Sequence, residues 1–198
     1  MDSVLIDRPA APPMALMIGR AAKTEAYKGH DSVIDAWPAV RERIPGARLR
    51  LIGPSEMTDE LMENARKRGV GDVVEIVGPV SEDAKWRALA ECRCMALPSR
   101  GEGFGLAYIE SMRMGRPCVV STLDAGREVV CPEDGSPAGG LAADPADSGS
   151  LAAALIRLMT PGPEWEQWSL AASRRYATQY TGELFRKRLI AALIGAAC

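Results

Sequence analysis

Short apolar runs alternate with segments of helical spacing over most of the chain. The runs predict six buried strands: Ala15–Gly19, Arg48–Gly53, Val73–Val77, Cys94–Leu97, Pro117–Ser121 and Gly140–Ala143. The helical segments between them are Asp31–Arg43, Met57–Arg68, Ser81–Glu91 and Leu106–Met114. This alternation is typical of a parallel sheet covered by helices. We therefore predict an α/β fold, with a Rossmann-like parallel sheet of about six strands and helices on both faces.

The pattern changes after Asp144 to helices alone. These predicted helices are Ser148–Met159, Glu164–Gln179 and Gly182–Leu193. The resulting division is an irregular, proline-rich arm over residues 1–13, a Rossmann-like domain over 14–160 and a tail of C-terminal helices over 161–198 that packs on it.

The C-terminal tail contains two apolar patterns. One has helical spacing and is expected to pack on the domain: Trp165, Trp168, Ala172 and Tyr176. The other is the run Leu189–Cys198, which is apolar enough to require a partner. We expect Leu189, Ile190 and Leu193 to be exposed or to lie in an oligomer contact.

Composition and short motifs argue against several classes of protein. The 24 Lys and Arg residues against 26 Asp and Glu residues leave a net charge of −2, so we expect no nucleic-acid partner. The five cysteines include no C-x-x-C pair, which favours cytosolic thiols over disulfides or a zinc site. The single histidine, His30, excludes an H-E-x-x-H zinc motif, and no G-x-S-x-G motif accompanies it. The longest apolar stretch is half the length of a membrane span, and residues 1–13 lack a signal-peptide pattern, so we expect a cytoplasmic location.

Ligands of open α/β sheets bind beyond the carboxyl ends of the strands, where the strand order reverses. With the common order 3-2-1-4-5-6, the loops that follow strands one and four face each other across a crevice. The first loop holds two cations, Arg20 and Lys28, that are able to converge on one anion. Taken alone, the pattern favours solvated loop cations over an anion site, since charged loops are ordinary.

The second loop contains Gly101, Gly103 and Gly105 and runs directly into a helix. Glycines allow close approach of backbone to a ligand, and the helix N-terminus attracts phosphate. Glu110, one turn into the helix, leans back toward the crevice and would accept hydroxyls such as a ribose diol, while Glu102 is placed for a second hydroxyl-bearing group. The alternative is a tight turn followed by a surface acid that stabilises the helix dipole.

The two carboxylates stand in the segment E-G-F-G-L-A-Y-I-E, which resembles the retaining GT-B glycosyltransferases of group 1, often called family 4. The resemblance is to their C-terminal donor-binding domain and extends from about Met14 to Met159. The further segments that carry it are G-R-(x7)-K-G-H-D from Gly19, P-G-A-R-L-R-L-I-G from Pro45, V-G-P-V-S from Val77, L-P-S-(x2)-E-G-F-G-L from Leu97 and M-G-R-P-C-V-V-S from Met114.

This resemblance implies a catalytic role for Arg20, Lys28 and Glu102. The two cations would grip the donor diphosphate and stabilise the leaving group, and Glu102 would contact the transferred sugar. The implied donor-binding residues are Val80 at the base pocket, Lys85 at the nucleotide, Gly103, Phe104, Gly105 and Leu106 in the glycine loop, and Glu110 at the ribose. His30, beside the basic pair, is assigned a structural role, and Cys92 and Cys94 are assigned to packing.

The implied reaction transfers a sugar from a UDP-, GDP- or ADP-sugar to an acceptor hydroxyl with retention of configuration. No metal ion is expected, because the sequence contains no D-x-D pair. The usual G-G-x-x-E stretch is replaced here by Asp124–Glu128. We expect the acceptor-binding N-terminal half to be absent from this chain, the isolated chain to be inactive, and any peripheral membrane association to occur only through the absent half.

The sequence leaves one alternative function open and argues against two others. A nucleotide-sugar-binding module or subunit that transfers nothing would use the same loops and stays open. A receiver-like domain requires an aspartate after the third strand, where this chain has Gly78 and Pro79. A dehydrogenase requires G-x-G-x-x-G after the first strand, and the residues from Gly19 onward do not match it.

Overall fold

The structure, a computed structural model, describes residue 9 and residues 12–195. The predicted arm over residues 1–13 and the end of the apolar stretch at Cys198 therefore lie largely outside the described residues. The strands are β1 Met14–Ile18, β2 Arg48–Ile52, β3 Val74–Gly78, β4 Cys94–Leu97, β5 Cys118–Ser121 and β6 Gly140–Ala143. The helices are α1 His30–Arg43, α2 Thr58–Lys67, α3 Glu82–Glu91, α4 Leu106–Arg113, α5 Gly126–Val130, α6 Ser148–Met159, α7 Pro163–Gln179 and α8 Gly182–Gly195.

All of the predicted strands and helices are present, with ends shifted by a residue or two. Two short elements were not predicted: a 3-10 turn at Lys23–Lys28 and helix α5. The first has six residues and the second five, which is too short to show a repeating apolar face. The predicted helix start at Ser81 is confirmed, because its hydroxyl oxygen accepts a hydrogen bond from the amide of Ala84 at 3.3 Å.

The sheet has the order β3-β2-β1-β4-β5-β6 and every pairing is parallel, as predicted. Strand β1 lies between β2 and β4 and is buried on both faces, since Ala15 and Met17 join the core on one side and Met14 and Leu16 the core on the other. Because all strands run the same way, the carboxyl ends of β1 and β4 lie side by side at one edge of the sheet.

Helix α7 packs on the domain and α8 does not. Trp165 is buried, with its indole nitrogen donating to the carbonyl of Arg93 at 3.0 Å, and Ala172 is buried beside the partly buried Trp168 and Tyr176, as their spacing predicted. By contrast, α8 contains no buried residue.

The apolar residues of α8 are open to solvent. The expected exposure of its aliphatic side chains is confirmed, with Leu189 46%, Ile190 50% and Leu193 64% exposed. None of the helices in the described ranges is both long and apolar enough to cross a membrane.

Because α6 packs in the core and α8 is exposed, shortening a leucine should lower the free energy of unfolding much more in α6 than in α8. Leu155 is fully buried in α6, which packs against α1, whereas Leu193 is 64% exposed in α8. We expect Leu155→Ala to lower the free energy of unfolding by about 2–5 kcal/mol, because it leaves a cavity. Leu193→Ala should change it by less than about 0.5 kcal/mol. Urea unfolding of both variants checks the prediction, and equal losses would contradict the exposed placement of α8.

Candidate functional site

The loops that follow β1 and β4 are joined at the carboxyl edge of the sheet. The amide of Arg100 donates a hydrogen bond to the carbonyl of Tyr27 at 2.8 Å. Gly29, which begins α1 with a φ of 79°, lies so close to the second loop that an added Cβ would stand 2.8 Å from the carbonyl oxygen of Pro98. The strand order thus brings together two loops that are far apart in sequence.

The first loop places its two cations differently. Arg20 is exposed, and within the described part of the chain its guanidinium has no hydrogen-bond or ion-pair partner. Lys28 is largely buried, with its ammonium 3.3 Å from a carboxylate oxygen of Glu25. The Lys28 side chain passes Gly19, at the end of β1. Both cations therefore lie close to where β1 ends, one free and one paired.

His30, at the start of α1, is buried beside this pair. Burial, and then the positive charge of Lys28, lower its pKa to about 4. The imidazole is therefore neutral at physiological pH and adds no charge to the two cations.

The second loop ends at Gly105, which begins α4 with a φ of 73°. An added Cβ there would overlap the ring of Tyr108, and one at Gly126 would also meet that ring. The Tyr108 hydroxyl donates to the carbonyl of Leu97 at 2.6 Å, and burial raises the pKa of this phenol. Tyr108 thus fixes the start of α4 against the end of β4, a role that the sequence did not indicate.

The remaining glycine-loop residues leave the start of α4 open. Leu106 and Phe104 are 70% and 51% exposed, and the Phe104 ring packs edge-to-face against Tyr180 with centroids 6.2 Å apart. Gly103 is also exposed and has open space around it. The amides at the N-terminus of α4 are consequently accessible to an anion.

Glu102 lies half-buried near a second carboxylate, that of Asp124. One oxygen of Asp124 accepts the amide of Gly126 at 3.0 Å. Burial raises the pKa of Asp124, and the charge of Glu102 adds to this, while the backbone amides of Glu102 and Gly126 lower it less. The family pattern has two adjacent glycines at this stretch. Here the side chain of Asp124 occupies it and lies close to the loop that carries Glu102.

Glu110 and Lys85 form an ion pair between α4 and α3. The ammonium of Lys85 lies 2.7 Å from Oε1 of Glu110, and Val80 is half-buried just before α3. No spacing in the sequence could indicate the pair, because its members stand on different helices 25 residues apart.

A cavity of about 620 Å³ lies beside this crevice, between the segment after β5 and the end of α7. Its buried cation, Arg175, donates to the carbonyls of Glu128 and Val129 and to the hydroxyl of Tyr180. Arg175 therefore caps the end of α5 and holds α7 to it, which is a structural role. We place the candidate site instead in the crevice between the loops that follow β1 and β4.

Comparisons with known proteins identify the family and the fold of this chain. Residues 12–161 match the family described as "Glycosyl transferases group 1". The chain is 23% identical to sucrose-phosphate synthase from Thermosynechococcus elongatus, with a TM-score of 0.77 over 97% of this chain and 48% of that one. It is 20% identical to HepE of Anabaena, solved in complex with UDP and glucose, with a TM-score of 0.77 over 92% of this chain and 48% of that one. The fold is that of one half of a GT-B glycosyltransferase.

The chain belongs to the group 1 glycosyltransferases. It is 30% identical over 193 residues to a glycogen synthase of Mycobacterium tuberculosis, covering 89% of this chain and 45% of the relative. It is 30% identical over 192 residues to a phosphatidyl-myo-inositol mannosyltransferase of Mycobacterium leprae, covering 88% of this chain and 48% of the relative. The chain thus spans a little under half the length of these relatives.

Gly105 and Gly103 offer a matched pair for testing the geometry of the glycine loop. Gly105→Ala places a Cβ in the left-handed region and against the Tyr108 ring, so we expect it to cost at least about 1 kcal/mol of unfolding free energy. Gly103→Ala meets no atom within 4 Å and should cost less than about 0.5 kcal/mol. Thermal unfolding distinguishes the two, and a Gly105→Ala protein as stable as Gly103→Ala would contradict this loop conformation.

Proposed function

We propose that this chain is the nucleotide-sugar donor domain of a retaining glycosyltransferase. The observation that carries the proposal is the hydrogen bond between Tyr27 and Arg100, since it sets the loop with two cations against the loop that opens α4. One anion is then able to contact both. The UDP and glucose in the complex of the structural relative HepE support a donor of this class.

In the proposed complex the donor diphosphate bridges the two loops. Arg20 offers a bidentate guanidinium and Lys28 a point charge. The N-terminus of α4 offers the amides of Gly105, Leu106 and Ala107, which have no partner among the described residues. Lys28, held beside Glu25, and the helix amides are fixed before the donor arrives, so they stabilise charge as it develops on the departing diphosphate. This role requires no metal ion.

The carboxylates of Glu110 and Glu102 bind hydroxyl groups of the donor. Glu110, one turn into α4, accepts the ribose hydroxyls, and Val80 lines the base pocket near the start of α3. Glu102 contacts the transferred sugar, together with the exposed backbone around Phe104. A carboxylate is suited to hydroxyl donors because each such charge-assisted bond is stronger than a neutral one.

Transfer itself requires an acceptor. We propose that an acceptor-binding half completes the enzyme, since the relatives are about twice the length of this chain. The leaving diphosphate oxygen then assists the incoming hydroxyl on the same face of the sugar, which retains the anomeric configuration. The isolated chain would bind the donor without turning it over, and any membrane association would come through that acceptor half. We place the protein in the cytoplasm, in line with the free thiols of Cys92, Cys94, Cys118 and Cys131.

A calorimetric screen of UDP-, GDP- and ADP-sugars tests the proposal. At least one should bind the wild type, and Arg20→Ala should weaken that binding about tenfold to hundredfold, the equivalent of about 1.5–3 kcal/mol for a lost charge-assisted hydrogen bond. Binding should be insensitive to a chelator.

Lys23→Ala is the matched control for this screen. Lys23 lies in the same loop but pairs with Glu60 at 3.3 Å, so its loss should change affinity less than about threefold by screened charge alone. Equal effects of Arg20→Ala and Lys23→Ala would show that the loop acts only through its overall positive charge, and would contradict a specific contact from Arg20. Failure of all three donors to bind would overturn the proposal.

A further inference from the structure

The contact between Lys85 and Glu110 is among the more enclosed ion pairs of the protein. Their side chains are 15% and 29% exposed, and the ammonium lies 2.7 Å from Oε1 of Glu110. Exposed ion pairs are weak because solvent screens them and two side chains must be ordered. The protein around Lys85 and Glu110 reduces both the solvent screening and the cost of ordering the two side chains. The contact therefore holds the Glu110 carboxylate in one orientation.

Lys85 is held on three sides. Its ammonium also lies 3.0 Å from Glu82 and 5.2 Å from the centre of the Trp86 ring. Burial alone would lower the pKa of Lys85, but the hydrogen bonds to Glu110 and Glu82 outweigh it and raise the pKa above its ordinary value. Lys85 is therefore a permanent cation in a fixed place, with two carboxylates already beside it.

Glu110 uses only one of its two carboxylate oxygens for this contact. Within residues 12–195, Oε2 has no hydrogen-bond partner. A carboxylate accepts at both oxygens, so Oε2 remains available to hydroxyl groups while Oε1 stays on Lys85. Two carboxylates, Glu110 and Glu82, already hold the Lys85 ammonium, which leaves at most one of its three N–H donors for a phosphate.

We propose that Lys85 is a positioning residue, which orients Glu110 so that its free oxygen accepts the ribose hydroxyls of the donor. The inference rests on the proposed function, and it assigns to Lys85 an action through Glu110 rather than a contact with the phosphates. Its consequence is specific: Lys85 governs how strongly the site distinguishes a ribose from a sugar that lacks the 2′ and 3′ hydroxyls.

The test compares UDP, GDP and ADP with their 2′,3′-dideoxy counterparts on the full chain, using calorimetry. The wild type should bind the ribose form about tenfold to hundredfold more tightly than the dideoxy form. Lys85→Met should reduce that ratio to below about threefold, while affinity for the dideoxy form changes less than about twofold. Lys85→Arg should restore much of the ratio, and in a Glu110→Gln background Lys85→Met should have no further effect on it.

Glu82→Gln is the control, because it removes the other partner of Lys85 and should leave the ratio unchanged. If Lys85→Met weakens both forms equally, Lys85 contacts the phosphates or merely supports the fold, and this inference is overturned while the proposed function stands. If Lys85→Met does not fold, the ratio in Lys85→Arg and Lys85→Gln decides, with an unchanged ratio in Lys85→Gln overturning the inference. If no nucleotide binds the wild type, both proposals fail.

Discussion

The neighbouring positions of β1 and β4 determine what this protein can bind. Both strands run in the same direction, so the segments that leave their carboxyl ends must face each other at one edge of the sheet. The hydrogen bond from Arg100 to Tyr27 then fixes the two segments together. One segment contributes positive side chains and the other contributes unpaired amides at the start of α4, and neither set alone would distinguish a diphosphate from any other anion.

Two of the three cations of the candidate site lie beside carboxylates. Lys28 lies beside Glu25, and Lys85 lies beside Glu110. A cluster of unpaired cations would repel one another and destabilise the fold, whereas paired cations keep their positions at little cost. In the described chain Arg20 has no partner, so it is more directly available to an incoming anion than Lys28 or Lys85. In the proposed donor complex, these groups supply the preorganised charge that stabilises a departing diphosphate.

Much of the fold could be predicted from the sequence because buried parallel strands form continuous apolar runs and their helices have regular spacing. The two cations after β1 and the three glycines before α4 could also be predicted, because each group lies within one short loop of the sequence. The roles of Tyr108 and Asp124, and the pairing of Lys85 with Glu110, depend on contacts between elements. Such contacts leave no local spacing in the sequence, so only the folded arrangement reveals them.

The most direct test of the central claim is to follow the backbone amide signals of the ¹⁵N-labelled chain during titration with UDP, GDP or ADP. If a diphosphate bridges the two loops, the amides of Arg20 and of Gly105 and Leu106 should shift together along one saturation curve, and the corresponding nucleoside should leave them unmoved. A response confined to one loop, or equal shifts with the nucleoside alone, would contradict the account.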